Sequence, residues 1–102
     1  MKNIIEEYPE VAKAFFALTQ TLTETAALPN QEKELILIGM FTASGGLHGL
    51  TTHTQRFLKA GGNAQLALKT ILLAIPVVGI TKVTLSFNTV KEIIGEYANE
   101  NY

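Results

Sequence analysis

Residues 30–62 read NQEKELILIGMFTASGGLHGLTTHTQRFLKAGG, and this stretch decides the fold. From Leu35 to Gln55 no residue carries a formal charge. Glu34 stands just before the run and Arg56 closes it. The run is about as long as a membrane span, roughly 20 residues. However, Gly39, Ser44, Gly45, Gly46, His48, Gly49, Gln55 and several threonines make it too polar and too broken for one lipid-facing helix. It reads instead as two buried helices of a bundle. One runs from about residue 31 to 44, with Asn30 as its N-cap and Glu32 and Glu34 in its first turn, where the helix dipole favours acids. It is apolar almost all round, which places it at the centre. The other runs from about Leu47 to Ala60 and stops at Gly61-Gly62, a strong C-terminal signal.

The flanks extend the same pattern. Pro9 suits the first turn of a helix that begins near Tyr8, and Val11, Phe15, Leu18 and Leu22 recur at four- and three-residue steps. Leu28-Pro29 ends that region. Asn63 caps a further helix that reaches about Ile75, where Pro76 blocks simple continuation. A last helix begins near Val77, with Ile80, Val83, Phe87, Val90, Ile94 and Tyr97 as its apolar stripe, and the tail Asn99-Glu100-Asn101-Tyr102 frays. No alternation of period two competes, and no linker or repeat divides the chain. The expectation is an all-α protein of about five helices, one domain over residues 1–102. A chain this small exposes more apolar surface than a lone bundle covers, so it is expected to self-associate.

Composition narrows the function. Hydrophobic residues make up 47% of the chain, which excludes disorder. Eight Lys and Arg are scattered against nine acids, all of them Glu, giving a net charge of −1. No basic face gathers for nucleic acid. The acids at Glu6 and Glu7 replace the apolar core of a signal peptide, and the second apolar run, Ile71 to Ile80, is short and carries Pro76. A cytoplasmic protein outside the membrane is expected. Cysteine is absent, so disulfides, thiolate metal sites and thiol redox chemistry are all excluded.

Glu34 and His53 are the candidate chemical groups, because a carboxylate and an imidazole are the side chains most used to move protons near neutral pH. Arg56, one helical turn after His53, can hold a substrate carboxylate. His48 and His53 point about 140° apart on an ideal helix, a poor metal pair, so neither metal nor cofactor is expected. Plainer readings stand beside these: His53 as a hydrogen-bonded core residue, Glu34 as a helix-dipole acid, Arg56 as a solvated charge, and Tyr8, Tyr97 and Tyr102 as packing or surface residues.

Glu32-Lys33-Glu34-Leu35-Ile36, Gly46-Leu47-His48-Gly49-Leu50-Thr51-Thr52-His53 and Phe57-Leu58-Lys59-Ala60-Gly61 resemble the carboxymuconolactone decarboxylase and AhpD-like family over about residues 8 to 95. In that family a "K/R-E-L-I" helix start precedes a variable C-x-x-C-x-x-x-H and a closing "A-x-x-A-G". Ala74-Ile75-Pro76-Val77-Val78-Gly79 is also similar to the family's apolar stretch after the core. Glu34 falls on the family's acidic position, and Gly46 and Gly49 fall on its two cysteines. The resemblance implies an AhpD-like helical bundle and a homo-oligomer, trimeric or hexameric. It also implies that thiol peroxidase chemistry is missing, since glycine has no sulfur, and that the chain stands nearer the decarboxylase branch.

On that reading the protein is a cofactor-free, decarboxylase-like lyase for a small carboxylated substrate, lactones included. His53 is the general acid, and Glu34 orients it or sets its protonation state, directly or through water. Arg56, Gly46 and Gly49 form the substrate side, the glycines opening space over the imidazole. The alternatives are a non-catalytic oligomeric scaffold and a small-molecule binding protein of the same fold.

Overall fold

The computed structural model describes residues 2–100, and the seven elements found there are all helical. They are α1 (Lys2–Glu7), α2 (Pro9–Ala26), α3 (Asn30–Ser44), α4 (Leu47–Lys59), α5 (Ala64–Leu72), α6 (Ile75–Val78) and α7 (Ile80–Glu100). The five long helices expected from the sequence are present, and two short ones add to them. α1 precedes Pro9 and is too short to show a period. α6 carries Pro76 in its first turn, where a missing N–H costs nothing, and Gly79 at φ 90° separates it from α7. So α5 stops at Leu72 rather than Ile75, and α7 starts at Ile80 rather than Val77. Asn99 and Glu100 continue α7 rather than fray; Asn101 and Tyr102 lie outside the described residues.

Glycines set the hairpin between α3 and α4. Gly45 takes φ 79°, and the N–H groups of Gly45 and Gly46 both donate to the Phe41 carbonyl, at 2.9 and 3.0 Å. α4 ends in a Schellman turn: Gly62 N–H reaches the Phe57 carbonyl at 2.9 Å, Gly61 N–H reaches that of Leu58 at 3.0 Å, and Gly61 sits at φ 84°. Asn63 caps α5 through its Oδ1, which accepts from the Gln65 N–H at 2.8 Å. Asn30 is not a cap. Pro29 occupies that position, and Asn30 is the first residue of the helix.

The core lies between α3, α4, α5 and α7, which pack against one another. Ile38, Leu50, Phe57, Ala67, Ile71 and Val90 are fully buried, with Val83 and Ile93 nearly so. Val83 and Val90 come from the stripe read in α7, but Ile80 at its head is exposed. α3 is central only on one side. Glu34, Ile38 and Thr42, four residues apart, face inward, while Ile36 and Met40 face out. The stripe of α2 finds no such core. Val11, Phe15, Leu18 and Leu22 are all exposed, and Ala12 is that helix's buried residue. α1 and α2 pack chiefly on each other. No described helix is long and apolar enough to cross a membrane.

Candidate active site

Two inward stripes bring the site together. On α3 the stripe Glu34, Ile38, Thr42 begins with a carboxylate, and on α4 the stripe Leu50, Thr54, Phe57 carries His53 at its edge. Antiparallel packing of the two helices across the Gly45-Gly46 turn sets Glu34 opposite His53, nineteen residues apart in sequence. Their side chains meet directly, with His53 Nδ1 2.5 Å from Glu34 Oε2. No water intervenes. When Glu34 is ionised it can only accept, so Nδ1 then donates and Nε2 is left to act elsewhere.

Glu34 is only 1% exposed. It is the fifth residue of α3, beyond the turn where the helix dipole acts, so the dipole does not account for it. Taking a carboxylate out of water is costly without partners. Lys33 supplies the second one, its Nζ 3.4 Å from Oε1, so each carboxylate oxygen has a contact of its own. His53 is therefore held by a group that is itself fixed on both sides.

The imidazole does not look onto empty space over the two glycines. The Phe41 ring stacks on it, with centroids 5.4 Å apart and planes 15° from parallel. The same ring lies on the bare backbone of α4. A Cβ at Gly49 would come within about 2.5 Å of Phe41 Cδ1 and Cζ, and one at Gly46 within 3.0 Å of Cδ1. The expectation that Gly46 and Gly49 open space over the imidazole is corrected here, because an aromatic ring from the end of α3 has taken that volume.

Beside this stack lies a cavity of about 710 Å³. α4 lines it with His48, Gly49, Thr52, His53 and Arg56, positions that repeat along one face. Phe41 closes one end. The opposite wall comes from the N-terminal pair, with Ile5 and Glu6 of α1 and Phe15, Phe16 and Thr19 of α2. Arg56 reaches the cavity, as expected from its place one turn after His53, and Gly49 lines it too, whereas Gly46 lies behind the Phe41 ring. His48 also lines it, although it and His53 stand at the two edges of the face. Among the described residues no group of three or more metal-ligating side chains gathers.

Sequence reasoning missed Phe41, Phe15, Phe16 and Ile5. One signal for Phe41 was present: a large ring shortly before three glycines within five positions, where bare backbone accepts a flat face. Nothing local placed α1 and α2 over α4.

The model of the carboxymuconolactone decarboxylase family matches residues 9–92, from the start of α2 well into α7. No curated protein and no solved structure matches the chain. The chain belongs to the carboxymuconolactone decarboxylase family.

Proposed function

We propose that this member of the carboxymuconolactone decarboxylase family is a cofactor-free lyase that decarboxylates a small unsaturated or β-keto acid, lactone acids included. The observation that carries the reading is the direct contact of buried Glu34 with His53 Nδ1 on the wall of a cavity. That arrangement fixes the ring and leaves Nε2 as the nitrogen that exchanges a proton with a ligand.

The reaction follows from those parts. Arg56 holds the substrate carboxylate, and the apolar side chains around it keep water away while its charge is lost. The carbon–carbon bond breaks, its electron pair enters the conjugated system, and carbon dioxide leaves. The developing enolate oxygen lies near the hydroxyl of Thr52, a donor on the same face of α4. His53 Nε2–H then protonates the carbanionic carbon, and water returns the proton to the imidazole. The balance is R–COO⁻ plus H⁺ giving R–H plus CO₂. Glu34 acts through His53 as a positioning residue. The chain works as one domain and assembles with copies of itself; exposed Leu73, Val77, Ile80 and Leu85 on α5 to α7 support this.

A second reading has its own support. The Phe41 ring fills the volume that a side chain at Gly49 would occupy and crowds one at Gly46, and a chain that only binds its ligand can tolerate such packing. Carbon dioxide release from a panel of carboxylated lactones and β-keto acids separates the two. Under the lyase reading His53→Ala lowers release by about 10²- to 10⁴-fold, with Glu34→Gln between it and wild type. Release that is indifferent to both substitutions sinks the mechanism, and no release from any acid favours the binding protein.

A further inference from the structure

The cavity beside His53 has a polar face on α4, and its largest apolar side chains are three aromatic rings, Phe15, Phe16 and Phe41. Every polar side chain that α4 contributes, His48, Thr52, His53 and Arg56, stands on one side. Facing them, Phe15 and Phe16 meet edge to face with centroids 5.6 Å apart, and Phe41 lies parallel to the imidazole at one end. Phe15 and Phe16 are about half exposed, so their rings present free surface to the cavity. A volume of about 710 Å³ is far more than a carboxylate and a few carbons fill, and it falls among pockets that hold whole drug-sized ligands.

The charges are equally one-sided. Arg56 has no carboxylate within 4.0 Å among the described residues, whereas Lys33 and His53 share Glu34. Among the described residues Glu6, on the α1 wall, is the one acid on the lining. A second anionic group on the ligand would meet it unfavourably.

We infer that the cavity takes a monocarboxylate with a flat aromatic body, its carboxylate on Arg56 and its ring between Phe41 and the Phe15–Phe16 pair. This rests on the reading of the cavity as the substrate site and names the class of acid that enters it. Aromatic rings prefer offset or edge contacts with other rings, and those are the surfaces on offer. A guanidinium fork matches a carboxylate in two parallel hydrogen bonds.

Titration calorimetry with trans-cinnamate, cinnamamide and acrylate tests it. Cinnamamide keeps the ring and loses the charge; acrylate keeps the charge and loses the ring. Cinnamate is expected to bind at least about tenfold tighter than either. Arg56→Gln should remove the preference for acid over amide, and Phe16→Ala, at an exposed position of α2, the preference for cinnamate over acrylate. Lys59→Gln, at an exposed position outside the cavity, should leave both intact. Cinnamate binding no tighter than acrylate, or acid and amide binding alike, overturns the inference. Carbon dioxide release from ring-free acids without any cinnamate preference would sink the ligand class and leave the lyase. Cinnamate binding in the expected pattern, with no acid decarboxylated, would do the reverse.

Discussion

The two walls of the cavity are built in opposite ways. The α3–α4 wall belongs to the core: Glu34, Ile38, Thr42, Leu50, Thr54 and Phe57 are each at most 1% exposed, and His53 rests on them. The α1–α2 wall has almost no core. Of the 18 residues of α2 only Ala12 is buried, and the helix reaches the bundle through the short joint Ala27-Leu28-Pro29. Both walls present helical apolar stripes in sequence. What separates them is whether a second stripe meets the first. The tight wall can hold an imidazole and a carboxylate within hydrogen-bond distance, while the other wall offers a ligand mostly exposed apolar side chains, with Glu6 and Thr19 beside them.

That contrast breaks most readily in stability. Phe57→Ala removes a fully buried ring and should destabilise by about 3–5 kcal/mol. Phe15→Ala, about half exposed on α2, should change stability by no more than about 0.5 kcal/mol. Urea unfolding of the two variants checks this, and equal losses would mean that α2 packs as tightly as α4. Next in size is the Phe41 ring seated on α4. Gly49→Ala should cost about 1–3 kcal/mol, because its Cβ meets the ring where a stiff side chain must move. Adding Phe41→Ala should then cost less than the two single losses added together, since the second change vacates the space the first one needs. Strict additivity in a double-mutant cycle would show that ring and backbone do not compete for that volume. The smallest effect lies at the joint. Ala27 adopts φ 52°, the left-handed conformation that glycine takes without strain. Ala27→Gly should therefore stabilise by about 0.5 kcal/mol, less than the full relief because glycine also loosens the unfolded chain. Thermal unfolding reads the shift, and a fall in Tm would show that the joint holds its conformation without strain.

Much of this was legible from local chemistry. Proline in first turns, glycine at left-handed helix ends and Asn63 as a cap act over a few residues, so the helix boundaries around α2, α4 and the start of α5 came out where the sequence placed them. Asn30 and Glu34 misled for one reason. With Pro29 as the cap, Asn30 is already helical, and Glu34 moves out of the first turn and into the buried stripe.

By itself, then, the sequence determined an all-helical chain, a glycine break between α3 and α4, the absence of cysteine, and a carboxylate and an imidazole as the groups worth watching. These rest on residue type and short spacing. Only the tertiary structure decided that Glu34 touches His53 without an intervening water, that Phe41 occupies the gap left by Gly46 and Gly49, and that the stripe of α2 stays outside the core. Each depends on which helix faces lie opposite one another, and periodicity fixes where a face is without fixing what it meets.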